Sequence, residues 1–174
     1  CFNTIHEGVI LGYNNPMAIN RAMALDIGDR RIGIAVSDPF GEYAMPCDTY
    51  FRTRDLSSDA AALAKIAAEK GVGEIVCGLP LNAEGNEGEQ AEKTRRFVAV
   101  LAEKTSLPIA WEDERFTTAA AREVQIMGGV KRGDRKRTID SIAASYILES
   151  YLARRKKQQR NGGAASEAEE DNDG

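Results

Sequence analysis

Residues 23–38 carry two apolar runs separated by a polar turn, Asp29-Arg30-Arg31, with Gly28 and Gly33 at its shoulders. That pattern predicts a hairpin of two buried strands. After the turn Pro39-Phe40-Gly41, a rough alternation over 43–51 predicts a third strand, so the chain opens as an antiparallel meander. The period then changes. Ala60, Leu63, Ala64, Ile66 and Ala67 recur at helical spacing behind the candidate caps Ser57, Ser58 and Asp59, and Gly71 stands where a C-terminal cap belongs. The short, nearly all-apolar run 74–79 predicts a parallel strand covered on both faces and ended by Pro80. A polar loop, 81–88, leads to a helix over 89–104 whose apolar face is Phe97, Val98 and Leu101. A strand at 108–112 arrives at Asp113-Glu114-Arg115. Thr117 or Thr118 caps a further helix through Met127, stopped by Gly128-Gly129, and a last helix runs from about Thr138 to Leu152. This order predicts an α/β protein: a mixed sheet with an antiparallel start, then βαβ crossovers that place helices on both faces.

The chain has 174 residues, enough for one well-formed core, which the pattern places at 21–153. Residues 1–20 show no period and contain Gly12-Tyr13-Asn14-Asn15-Pro16, a loop signal. They are expected to be a disordered or dispensable extension, with the functional polypeptide starting near Met17. From 154 onward the run Arg154-Arg155-Lys156-Lys157 gives way to Gly162-Gly163 and an acidic end, and 154–174 is expected to be a disordered charged tail.

Composition narrows the chemistry. A hydrophobic content of 43% with 29% charged residues describes a globular domain, and no run is long and apolar enough to suggest a membrane partner. The net charge of −4 carries no global signature of a polyanion binder. Positive charge is instead concentrated at Lys131, Arg132, Arg135, Lys136 and Arg137, against a single acid, Asp134. Cys1, Cys47 and Cys77 have neither zinc-ligand spacing nor a disulfide framework, which suits a reducing cytoplasm. The one histidine, His6, lies near the start of the chain. Most Ser-His and Cys-His schemes and histidine-rich metal sites are thereby excluded, and oxygen ligands must carry any chemistry.

Asp26 is the anomaly among the strands. An unpaired carboxylate inside such a run would cost several kcal/mol, so it needs a cation, a hydrogen-bond network or a metal, unless it reaches water at an edge. Asp113 and Glu114 stand where a later strand runs out, the end at which α/β folds place ligands. Strand alternation points them to opposite faces, so only one shares a site with Asp26. Asp140 falls in the first turn of the last helix and shares a mainly apolar face with Ala144, Ile147 and Tyr151. Each acid also has a plainer reading. Asp140 fits a helix start, where a negative charge contributes about 0.3–1 kcal/mol, and Asp113-Glu114-Arg115 fits a solvated strand end with a local ion pair. Taken together, three acids from separate elements suit Mg²⁺ or Mn²⁺. Two such ions about 3.5–4 Å apart serve phosphodiester hydrolysis. Asn82, in a loop rich in Asn, Glu and Gly, is a candidate substrate contact, as are Arg115 and the basic residues of 131–137.

Four blocks resemble the YqgF/RuvX family of pre-16S rRNA nucleases, also described as Holliday-junction resolvases. They are Leu25-Asp26-Ile27-Gly28 through Ala35-Val36-Ser37-Asp38; Gly78-Leu79-Pro80-Leu81-Asn82 with Glu87-Gly88; Asp113-Glu114-Arg115-Phe116-Thr117-Thr118; and Ile139-Asp140 with Ala143-Ala144. The resemblance covers about residues 23–152 and departs from the family's pattern at Gly133 and Asp134, which interrupt the basic run. It implies a ribonuclease-H-like fold and an acidic triad of Asp26, Glu114 and Asp140, with Asp113 the alternative middle acid. It further implies trimming of the 5′ end of the small-subunit rRNA precursor in the cytoplasm. Branched DNA is the alternative substrate, and the protein would act as a monomer or homodimer. Two other classes compete: a sugar-kinase or actin-like ATPase, which needs a second domain this chain has no room for, and a non-catalytic nucleic-acid-binding module, which would be expected to have lost the acids.

Overall fold

The computed structural model describes residues 21–116 and 135–166. Its elements follow as β1 (Ala22–Ile27), β2 (Arg31–Ser37), β3 (Ala44–Phe51), α1 (Leu56–Glu69), β4 (Glu74–Leu79), α2 (Glu89–Lys104), β5 (Ile109–Asp113), a 3₁₀ turn (Glu114–Phe116) and α3 (Arg135–Ser166). The strands form one sheet in the order β3-β2-β1-β4-β5. Central β1 pairs antiparallel with β2 and parallel with β4. Outside them, β3 is antiparallel to β2 and β5 parallel to β4. An antiparallel meander followed by crossovers is the mixed sheet that the residue pattern predicts.

Alternation along the strands sorts side chains into two layers. Met23, Leu25, Ile27, Ile32, Ile34, Ile75 and Cys77 join one buried cluster with Leu63 of α1 and Phe97 and Leu101 of α2. On the opposite face Ala22, Ala24, Ala35 and Val76 meet Ala144, Ile147, Leu148 and Leu152 of α3. Fully burying a Leu, Ile or Phe contributes about 1.5–3 kcal/mol, so the apolar stripe of α3 alone fixes that helix firmly on the sheet. Alanine on the sheet side keeps the approach close.

The local structure departs from the sequence pattern at two places. The N-cap of α1 is Asp55, whose carboxylate accepts the Ser58 N–H at 2.9 Å. Asp59, expected among the caps, is fully buried. It accepts hydrogen bonds from the Thr53 N–H (2.8 Å), the Thr53 hydroxyl (2.9 Å), the Tyr50 hydroxyl (3.0 Å) and Arg52 Nε (3.2 Å). The last helix does not stop near Leu152 but continues to Ser166. The basic run expected to open a disordered tail finds acids on the sheet and just before it. Arg154 pairs with buried Glu112 of β5, Arg155 with Glu74 of β4, and Lys156 with Glu42 before β3. The helix expected behind Thr117 or Thr118, and residues 1–20 and 167–174, lie outside the described residues. Among the described residues no helix is long and apolar enough to cross a membrane.

Candidate active site

Two glycines build the site. In the β1–β2 register Asp26 lies directly opposite Gly33, and in the parallel β1–β4 register Gly78 follows the Leu25–Cys77 pair. Asp26 therefore has a residue without a side chain on each flank, and alternation from Ala22 and Ala24 turns it to the α3 face. A Cβ at Gly33 would stand 1.9 Å from the Asp140 carbonyl oxygen, so only glycine lets the start of α3 settle there. A Cβ at Gly78 would stand 2.5 Å from Glu114 Oε1 and 2.6 Å from Ile147 Cδ1. The space over Gly78 is thus filled by the Glu114 carboxylate. Asp26, Glu114 and Asp140 gather on one face of the sheet, at the edge where β1, β4 and β5 all end, and each is half-buried.

Asp113 belongs to the other face. It accepts the Arg115 N–H at 2.9 Å and the Arg115 guanidinium at 2.6–3.1 Å. That guanidinium holds the Asp113 carboxyl below its usual range against the opposing effect of burial. The chelate closes the 3₁₀ turn from both ends, and Glu114, between its two anchors, projects to the α3 side. Arg115 also supports the loop after β4: a Cβ at Gly85, whose φ is +86°, would stand 2.8 Å from its Nη1. Within that loop Asn82 is a brace. Its side-chain oxygen accepts the Asn86 N–H at 2.7 Å and its own N–H reaches the Asn86 carbonyl at 3.0 Å. Glu87 pairs with Arg95, whose guanidinium lies 5.0 Å above the Trp111 ring. Loop, turn and α2 therefore form one supported rim beside the acids.

Asp140 is held by a residue that the sequence pattern did not single out. Arg31 Nε lies 2.6 Å from Asp140 Oδ2. Both atoms are buried, and neither makes a directed hydrogen bond. No group of three acidic, histidine or cysteine side chains among the described residues forms a ready cation site. The donors present are all carboxylate oxygens on one face, the set that a hard divalent cation takes. Of the basic candidates, Arg135, Lys136 and Arg137 form the first turn of α3, next to Asp140, whereas Lys131 and Arg132 lie outside the described residues. Gly78 carried a readable signal, since an isolated glycine in a buried strand marks close approach by another group. Gly33 opposite Asp26 was the same signal on β2.

A family model, RuvX, described as Holliday junction resolvase, matches residues 20–154. A protein of Moorella thermoacetica is 44% identical over 134 residues, covering 77% of this chain and 95% of the relative. A protein of Clostridium novyi is 42% identical over 132 residues, covering 76% and 97%. One of Myxococcus xanthus is 42% identical over 132 residues, covering 76% and 87%. All three carry the name "Putative pre-16S rRNA nuclease". Among solved structures, Thermus thermophilus RuvC in complex with Holliday junction substrate matches with a TM-score of 0.52 at 12% identity, covering 77% of this chain and 95% of that one. That likeness shows the fold, an α/β sheet of the ribonuclease-H-like kind.

Proposed function

The chain belongs to the RuvX family, and from that premise we propose that it is a metal-dependent nuclease that hydrolyses phosphodiester bonds at the 5′ end of pre-16S rRNA. The observation that carries the proposal is the gathering of Asp26, Glu114 and Asp140 around Gly33 and Gly78 on one face of the sheet. The relatives' names favour the RNA substrate, and that substrate sets the protein in the cytoplasm. The family description favours a second reading, cleavage of branched DNA, which would also require a two-fold dimer to cut both strands.

Asp26, Glu114 and Asp140 would hold Mg²⁺ or Mn²⁺, two ions in this reading. When bound, such ions supply an activated water, neutralise charge on the phosphoryl oxygens and stabilise the leaving oxygen. The protein's own residues do the rest. Asp26, fixed on the central strand, is the rigid ligand, and Glu114 is set by the Asp113–Arg115 chelate behind it. Arg135, Lys136 and Arg137, with Lys131 and Arg132 before them, supply positive potential for the nucleic-acid backbone. The rim braced by Asn82 and Arg115 would border the nucleic-acid backbone beside the acids.

The middle acid provides the test. E114Q keeps the shape of the side chain but removes its charge, and cleavage of a pre-16S 5′-leader RNA in Mg²⁺ should fall more than about a hundredfold, beyond the effect of disturbing residues that merely support a metal site. D113N should keep most activity and lose some stability. If the two variants change places, Asp113 is the ligand. If neither loses cleavage of RNA or of a four-way DNA junction, the carboxylate site is wrong.

A further inference from the structure

We propose that Arg31 is the resident counter-ion of Asp140, a side-chain latch that a divalent cation must displace to load the site. The inference rests on the ligand role given to Asp140 above. Arg31 begins β2, and alternation through Gly33 and Ala35 turns it to the α3 face. Its backbone is rigid. Gly28 N–H donates to the Arg31 carbonyl at 2.9 Å, and the Arg52 N–H donates to the Arg30 carbonyl at 3.0 Å. Arg52 itself reaches the Gly28 carbonyl at 2.9 Å and is anchored by Asp59. The start of α3 is equally fixed, because the Asp140 backbone rests on Gly33. With both backbones tied down by these contacts, the side chains of Arg31 and Asp140 are the parts of the pair that can exchange partners.

The contact has the form of an exchangeable latch. Nε and Oδ2 are 2.6 Å apart and buried, an ion pair without an aligned hydrogen bond to hold it in one geometry. Such a pair neutralises Asp140 while the site lacks metal and removes its repulsion from Asp26 and Glu114. A doubly charged cation that Asp26 and Glu114 also ligate competes well for the same oxygen. Once displaced, the Arg31 guanidinium remains on the α3 face beside the acids, where a phosphodiester oxygen is its natural new partner. Loading the metal thus presents a cation to the substrate.

Mn²⁺ binding, read from the signal of the free ion by electron paramagnetic resonance, tests this on the full chain without any cleavage measurement. Wild type, R31Q, D140N and the double variant form a cycle. R31Q should bind Mn²⁺ roughly five- to twentyfold more tightly, in the usual range for coupled sites. D140N should bind more weakly, and in D140N the effect of R31Q should vanish. If D140N weakens binding but R31Q has no effect, or the same effect in both backgrounds, Arg31 is a distant charge and the latch is overturned while the site stands. If D140N binds as wild type does, both the ligand role and the latch fall. Should R31Q not fold, the arginine Nε–H resonances of the wild type decide, with R31K to assign Arg31. Mg²⁺ should shift that resonance and speed its solvent exchange, and an unmoved resonance at saturating Mg²⁺ overturns the latch.

Discussion

Gly33 and Gly78 show how much a missing side chain can specify. Both flank Asp26, but what approaches each differs in kind, and that difference predicts different costs. At Gly33 an added methyl meets the main chain of α3, at 1.9 Å from the Asp140 carbonyl oxygen and 2.4 Å from its carbonyl carbon. Backbone cannot rotate out of the way, so G33A must push the helix off the sheet. At Gly78 the methyl meets the far ends of Glu114 and Ile147, which can turn aside. G33A should therefore destabilise by about 3 kcal/mol or more, and G78A by about 1–2 kcal/mol, the range in which overpacking is absorbed by side chains. Both should lose most cleavage, G33A by displacing Asp140 and G78A by displacing Glu114. Urea unfolding beside an activity assay checks this, and equal destabilisation would mean that α3 is less firmly seated than the contact implies. In the sequence Asp26 was conspicuous because a carboxylate in a buried strand is anomalous by itself. Arg31 was not, because an arginine in a polar turn looks like any solvated one until the helix that covers it is in place.

At the scale of elements, α3 has two functions along its length. Its first turns carry Asp140 over β2, and its later turns tie it to the sheet through charge. Glu112 on β5 is 4% exposed. It accepts the Ser150 hydroxyl at 2.7 Å and Arg154 at 2.5 and 3.1 Å. Glu74 on β4 accepts the Tyr151 hydroxyl at 2.7 Å and pairs with Arg155. Removing Arg154 leaves a buried carboxylate with a single hydroxyl donor, so R154M should cost about 1–3 kcal/mol. At roughly 2–4 °C per kcal/mol for a chain of this size, melting drops by several degrees. Cleavage measured well below the melting point should stay within about twofold, since the Asp140 end of the helix is seated by Gly33 and by apolar contacts. A matching loss of activity would mean that the two ends of α3 are coupled. The helix start, with Ala144 and Ile147 behind Asp140, was readable from apolar spacing. Its end was not, because the periodic signal stops at Leu152 and the acids that receive Arg154, Arg155 and Lys156 lie from 42 to 114 positions earlier in the chain, beyond the reach of any local pattern. Alternation correctly separated Asp113 from Glu114, but which of them faced Asp26 depended on the 3₁₀ turn, set by Arg115 chelating Asp113.

Across the whole molecule, ionisation bounds the stable range at both ends. Burial by itself would raise the Asp59 pKa, but the Thr53 N–H and hydroxyl, Arg52 and Tyr50 outweigh it and leave the pKa lowered. A carboxylate lowered in the folded state contributes stability that is fully present above its unfolded pKa, about 3.9, and is lost as pH falls through the folded value. Asp38, Asp55, Glu87 and Asp113 are lowered too, but they lie nearer the surface, where solvent and salt screen them. Asp59 should therefore dominate the acid limb at high salt. At the alkaline end, burial and the hydrogen bond to Glu74 push the Tyr151 hydroxyl up to about 12. Its contribution is complete below the unfolded pKa of about 10 and disappears as pH rises through the folded value. Melting temperature should be nearly flat from about pH 5 to about pH 9 and fall beyond either bound. Measured in 0.5 M salt, D59N should melt below the wild type at pH 7, and the gap should narrow as pH falls below the unfolded carboxylate pKa of about 3.9. Y151F should show the opposite trend, with its deficit shrinking above about pH 10. A D59N deficit that stays constant down to about pH 2 would show that this carboxylate acts only through packing, and would move the acid limb to the surface acids, where raising the salt should then abolish it.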